Sequence, residues 1–332
     1  MTRVQAVNPS NKRAAGTRWL IPGLVIALAV VAPFFLANFI VFQLTLVLVY
    51  GVAIMGLVLL TGFNGQFSLG HVAFFAVGAY TAAILLDRDL VSYPVTLLVA
   101  GAVCFVFGLL FGFPALRLEG VYLALATFAL SVATPQVLKL TPLIRYTGGV
   151  NGISLIKPEP PFGLKMSPDV WLYLFVLAVA LLMLAAALSL MGTRSGRALV
   201  AIRDNPIAAR SMGVNISLYK TLAFGISALY AGVAGAMSAI VVQYVSPDSF
   251  TMGVSIAFFV GMVLGGIRWL PGAFFGGIFI VFIPQLSEAF QKGSEGVVYA
   301  VLLILLVFLM PAGLAGLIAA GRKRMSRRSD AG

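Results

Sequence analysis

Apolar residues in this chain come in long unbroken runs, not at the spacing of three to four that marks a helix half-buried on a soluble core. Val170–Met191 runs 22 residues and Val297–Ala320 runs 24 residues without one charged side chain. A helix needs about 20 such residues to cross the hydrocarbon core of a bilayer. No water there can satisfy a free N–H or C=O, so a crossing segment must close its own hydrogen bonds. The pattern predicts ten segments of this kind, at roughly 19–36, 39–60, 67–86, 93–116, 120–138, 170–191, 221–242, 249–267, 269–287 and 297–320. The expected fold is all-α, a polytopic transmembrane helix bundle of about ten spans.

Composition agrees. The 332 residues are 61% hydrophobic and 10% charged, against about half and about a quarter in a soluble domain. Too little polar sequence remains to wrap a soluble core of that size. The net charge is +12, which by itself would also suit a nucleic-acid partner. Its distribution points elsewhere. Ten spans put both ends on one side, and assigning that side to the cytoplasm places 16 of the 22 Lys and Arg there. This obeys the positive-inside rule. The basic tails, 1–18 and 321–332, then read as cytoplasmic topology determinants flanking a membrane domain at 19–320. They sit beside the headgroups of the lipid bilayer, and no nucleic-acid partner is expected. The basic start (Arg3, Lys12, Arg13, Arg18) followed by an apolar run could pass for a signal peptide, but nine further spans favour a retained signal-anchor.

Candidate chemistry is sparse. No G-x-x-x-x-G-K-[ST] occurs, so there is no phosphate-cradling loop. H-E-x-x-H is absent, and His71 is the single histidine. One cysteine, Cys104, excludes an internal disulfide or a multi-thiol metal site. The expected protein is not an enzyme and binds no cofactor or metal of its own. A secondary transporter would normally carry intramembrane carboxylates or histidines for ion coupling, and here they are scarce.

Four segments depart from the apolar pattern. Thr61–His71 carries three glycines and the hydrogen-bonding side chains Asn64, Gln66, Ser68 and His71. Irregular backbone at membrane depth is tolerated where it lines a cavity or is covered by protein. The segment is therefore either a broken element bordering a solute path or a cytoplasmic turn between two spans. Met191–Asn215 is too polar to span. Ala198–Ile202 reads as a short helix, Asp204 and Asn205 as turn or capping residues, and Pro206 as the first position of a second helix. Ala201, Ile207 and Ala208 would make apolar contacts at the inner face, and Arg197, Arg203 and Arg210 polar ones. Thr147–Ile153 places three glycines on the outer face, as a mouth-shaping element or a plain turn. Gly265–Gly277 is a second Gly-rich hinge, whose Ala273-Phe-Phe echoes Ala73-Phe-Phe and hints at an internal repeat.

These blocks resemble the permease subunits of branched-chain amino acid ABC importers, the longer of the two permease types. The residues that carry the resemblance are Asn64–Tyr80, Thr147–Ile153, Ser195–Gly213 and Gly265–Gly272, in an order covering about 60–300. The resemblance implies a second related permease subunit, two cytoplasmic ATPase subunits that use the ATP, and an extracytoplasmic solute-binding protein. It implies a bacterial inner membrane location. It also marks a coupling loop at 192–217, with Gly196, Arg197, Ala201, Asp204 and Ala208 as the positions that receive the ATPase, and leaves Asn64, Gln66, Ser68 and His71 as the expected translocation path. The implied cargo is a branched-chain or related neutral amino acid, with urea, amides or aromatic acids as the alternatives within the family.

Overall fold

A computed structural model of the chain describes residues 23–118, 120–160 and 166–290, together with Gly313 and Gly316. The described chain is all-α apart from one two-residue β pairing. Its helices are α1 (Gly23–Phe34), α2 (Asn38–Phe63), α3 (His71–Asp87), α4 (Tyr93–Ala115), α5 (Val121–Leu138), α6 (Ile144–Thr147), α7 (Pro168–Gly192), α8 (Arg194–Asp204), α9 (Pro206–Ser211), α10 (Ile216–Val242), α11 (Met252–Gly265) and α12 (Gly272–Phe290). Six described helical stretches are long and apolar enough to cross a membrane: α2, α4, α5, α7, α10, and α11 with the turn that leads into it from Pro247. This is a multi-pass membrane protein.

Nine of the ten expected segments fall on described helices, of which α1, α3 and α12 are apolar over the shorter stretches Gly23–Phe34, His71–Asp87 and Gly272–Gln285. The tenth, 297–320, and both basic tails lie outside the described residues, Gly313 and Gly316 apart. One boundary is corrected. The third segment was expected from 67, but α3 begins at His71. Gly65 takes a positive φ of 77°, which turns the chain out of the helix, and residues 65–70 run without regular structure before α3 starts.

Local chemistry explains where the helices begin. Ser167 caps α7, its side chain accepting from the Asp169 amide at 3.3 Å, and Pro168 takes the first position. Asn215 caps α10 by accepting from the Leu218 amide at 3.1 Å. In each case a short polar side chain satisfies an amide that the first turn leaves unpaired, and proline loses nothing where its missing N–H would be unused.

α2 and α10 form the centre. The apolar window of each is 78% buried, against 39% for α4, 22% for α7 and 17% for α5. α10 packs on α4, α3 and α2; α12 packs on α2 and α11; α7 packs on α2. In lipid, where tails are as apolar as leucine, close backbone approach replaces the hydrophobic drive between helices, and small residues permit it. Gly232 of α10 shows the consequence. A Cβ there would lie 2.5 Å from both Cβ and Sγ of Cys104 on α4, while a Cβ on Gly78 of α3 would lie 2.2 Å from the Gly232 carbonyl oxygen. The outer surfaces of α4, α5 and α7 carry exposed Leu98, Leu110, Phe113, Tyr122, Leu125 and Leu182. A band of this size is expected on a face that meets lipid or another subunit.

The Gly-rich block at 147–153 is a built turn. Gly148, Gly149 and Gly152 all have positive φ, and the Thr147 hydroxyl donates to the Leu138 carbonyl at 2.9 Å while accepting from the Gly149 amide at 3.2 Å. The turn feeds β1 (Ile153–Ser154), which pairs antiparallel with β2 (Tyr244–Val245) just past α10. Lys139 Nζ meets Asp248 at 2.5 Å on the same side. The two Ala-Phe-Phe triplets each lie near the start of a helix, α3 and α12, one residue apart in position.

Candidate functional site

The site grows from the end of α2. Its last six residues, Val58–Phe63, widen into a π-helix, a distortion often found at functional positions. Leaving the helix, the chain cannot form a regular ladder, so its backbone groups must find partners elsewhere. The Gly65 amide donates to the Thr61 carbonyl at 3.1 Å and the Gln66 amide to the Leu60 carbonyl at 3.2 Å. The Thr61 hydroxyl returns to the Gln66 carbonyl at 2.9 Å. Leu69 is then held by side chains of two other helices. Its amide donates to Thr127 Oγ1 of α5 at 2.9 Å. Its carbonyl accepts from Ser131 of α5 at 2.5 Å and from Ser255 of α11. The break is thus covered and clamped, which is how irregular backbone survives among transmembrane helices.

The four expected path residues are all buried, yet they do not form one wall. His71 donates from Nε2 to the Ala53 carbonyl of α2 at 2.7 Å; a carbonyl carries no proton, so the bond itself sets the tautomer. Its ring meets Phe258 edge-on with centroids 6.2 Å apart. Ser68 accepts from the Gly70 amide at 3.3 Å. These two residues are satisfied inside the protein. Asn64 and Gln66 differ: both carboxamide atoms of Asn64 and Oε1 of Gln66 are buried without a hydrogen-bond partner among the described residues. Both residues border a cleft of about 140 Å³, whose opposite side is Ile202, Arg203, Pro206 and Lys220.

Ile202, Arg203 and Pro206 on that side belong to the second unusual segment, and Lys220 to the first turns of α10. Thr193 caps α8, accepting from the Gly196 amide at 3.3 Å, and Asn205 caps α9, accepting from the Ala208 amide at 3.0 Å, with Pro206 at the first position as the sequence predicts. α8 turns Ala198, Leu199 and Ile202 inward and α9 turns Ala209 inward, while Ala201, Ile207, Ala208 and Met212 stay exposed. Of the five coupling-loop positions, Arg197, Ala201, Asp204 and Ala208 lie on the exposed side. Gly196 does not: it is buried, and a Cβ there would sit 2.5 Å from the Leu190 carbonyl oxygen and Met191 Cα. Its place is the fold between α7 and α8, where nothing larger fits. Arg197 reaches back to the Gly192 carbonyl at 3.2 Å.

The two segments that the sequence set apart are in contact. Arg203 of α8 donates from Nη1 to the Gly62 carbonyl at 2.7 Å, while its Nε and Nη2 hold the Asp204 carboxylate at 2.9 and 2.7 Å. Sequence reasoning found both segments but not this joint, and it missed Thr127, Ser131 and Ser255. The available signal was a hydroxyl pair four residues apart, Thr127 and Ser131, on one face of a largely apolar helix.

Among the described residues up to Gln285, the buried polar side chains are neutral hydroxyls and carboxamides, with His71.

Comparison with known proteins bears on this arrangement. Residues 39–310 match the family model described as branched-chain amino acid transport system, permease component. The chain is 31% identical over 342 residues to the high-affinity branched-chain amino acid transport system permease protein LivM of Escherichia coli K12, spanning 91% of this chain and 79% of that one. It is 33% identical over 153 residues to LivH of the same organism, spanning 46% and 47%. It is also 33% identical over 159 residues to the autoinducer 2 import system permease protein LsrC of Enterobacter sp. strain 638, spanning 45% and 44%. No solved structure matches the chain.

Proposed function

The chain belongs to the permease-component family of branched-chain amino acid transport systems, and from that premise we propose that it is one membrane-spanning subunit of an ABC importer for branched-chain or related neutral amino acids. The observation that carries the reading is the family match across 39–310, which takes in both the broken segment after α2 and the α8–α9 pair. The geometry supports it. α8 and α9 are two short capped helices with an apolar inner face and an exposed outer face bearing Ala201, Ile207, Ala208 and Met212. Such a pair suits the receipt of force from a docked subunit better than a bare loop would.

In this reading the chain pairs with a second, related permease, and two cytoplasmic ATPase subunits bind the α8–α9 side, with Arg197, Ala201, Asp204 and Ala208 at the contact. An extracytoplasmic binding protein delivers the solute. The chain crosses the bacterial inner membrane about ten times, with both termini in the cytoplasm. It binds no ATP itself. Asn64 and Gln66 border the inner end of the path, while Ser68 and His71 hold the segment in shape. ATP-driven closure of the nucleotide subunits shifts the bundle between outward-open and inward-open only if the docked subunits bind one state better than the other.

The test is reconstitution in proteoliposomes with the second permease, both ATPase subunits and the binding protein, followed by uptake of leucine, isoleucine and valine against a panel of urea, amides and aromatic acids. ATP-dependent uptake of the aliphatic amino acids is expected. Uptake by the chain alone, driven by an ion gradient, would overturn the reading.

A further inference from the structure

We propose that Arg203 is a positioning residue that carries movement of α8 into the break after α2. The inference rests on the reading of α8–α9 as the side that receives the ATPase, and assigns the element through which that force enters the bundle. Gly62 lies in the last turn of α2, where carbonyls have no partner within the helix. A cation at this end also meets the negative pole of the helix. Arg203 supplies both, through the 2.7 Å bond from Nη1 to the Gly62 carbonyl. Charge-assisted bonds of this kind are among the stronger ones proteins form.

The joint has little slack. A Cβ on Gly65 would lie 2.8 Å from Arg203 Cγ, so the arginine stem rests directly on the backbone of the break. On the far side, a Cβ on Gly62 would lie 1.8 Å from the Ile267 carbonyl oxygen. Gly62 is therefore wedged between α8 and the α11–α12 turn, and displacement of Arg203 is transmitted rather than absorbed. The other end of the lever is accessible. The Asp204 side chain that shares the guanidinium is 61% exposed, against 14% for Arg203. A partner group that engages Asp204 changes the hold on Arg203, and through it on Gly62. Next to this joint, Asn64 and Gln66 bury carboxamide atoms that have no partner among the described residues, as expected of a segment whose polar groups pair in a second arrangement.

The test uses the reconstituted complex with Arg203→Met, which keeps the length of the stem and removes both sets of bonds. The ATPase subunits are expected to co-purify and to hydrolyse ATP at the basal rate, while amino acid taken up per ATP hydrolysed falls about tenfold, within the usual range for coupling between sites. A structural role alone would lower assembly and activity together. Hydrogen exchange gives an independent readout in the wild-type complex. Binding of the ATPase subunits should change exchange at the Gly65 and Gln66 amides, and Arg203→Met should abolish that response. Unchanged uptake per ATP in the variant, or no exchange response in the wild type, overturns the proposal. If the variant does not assemble, the wild-type exchange measurement decides. Lack of ATP-driven uptake in the wild-type complex would instead overturn the transport reading on which the proposal rests.

Discussion

Gly232 offers the most direct test of how the bundle is held. The perturbation is Gly232→Ala, which adds one methyl group where α10 crosses α4. That carbon would lie 2.5 Å from both Cβ and Sγ of Cys104 and 2.9 Å from the Ala100 carbonyl oxygen. Non-bonded carbons are comfortable at about 3.5–4.0 Å, so α4 must retreat by roughly 1 Å or the side chain of Cys104 must be displaced. Cys104 is fully buried and donates to the Phe74 carbonyl at 3.3 Å, which leaves it little room to move. Overpacking of this size costs about 1–3 kcal/mol. The second half of the prediction is a rescue. Cys104→Gly removes both atoms that clash, so the double variant Gly232→Ala/Cys104→Gly should be less destabilised than the sum of the two singles, by about 1–2 kcal/mol of coupling. Recovery stays partial because the Ala100 carbonyl is untouched. Reversible unfolding of the purified chain in mixed detergent micelles, run on all four proteins, measures the cycle. Additive effects would refute the reasoning, since they would mean that α4 and α10 separate freely at this crossing.

Three further outcomes follow from other parts of the structure. Ser131→Ala and Ser255→Ala should each be tolerated alone, because the Leu69 carbonyl keeps one donor; the double variant orphans that buried group and should cost more than the sum of the singles, by about 1–3 kcal/mol in the same unfolding assay. Ile207→Asp, at a position 79% exposed, should leave the thermal unfolding of the chain unchanged while reducing co-purification of the ATPase subunits at least about tenfold, as expected for burying an unpaired charge. Gly152→Ala forces a side chain onto a residue with φ of 68° and ψ of −167°, a region essentially reserved for glycine at a cost of about 1–3 kcal/mol. Its Cβ would also meet the Val245 carbonyl at 2.4 Å, so β1 should detach from β2 and limited proteolysis should cut the 139–160 loop faster.

The sequence by itself determined the class of the protein and most of its helices. Long charge-free runs have one stable solution in lipid, so α2, α4, α5, α7 and α10 sit where hydropathy put them. Short-range chemistry was equally legible: Asn205 caps α9 and Pro206 opens it, because capping depends on residues within one turn. The order of blocks around Asn64–Tyr80 and Ser195–Gly213 was enough to indicate the family. What hydropathy could not decide is which side of each apolar helix faces protein, since a lipid-facing leucine and a buried one read alike. That α10 lies at the centre and α5 at the edge is a matter of tertiary packing, set by small residues such as Gly232 and Gly78 meeting other helices. The same holds for the site. Asn64, Gln66, Ser68 and His71 stood out as polar residues in an apolar setting, but their division into two at a cleft and two satisfied within the bundle comes from partners far along the chain. Arg203 stands 141 residues from the carbonyl it holds. No local pattern encodes that separation, and only the folded bundle brings the end of α2 and the short inner helices into contact.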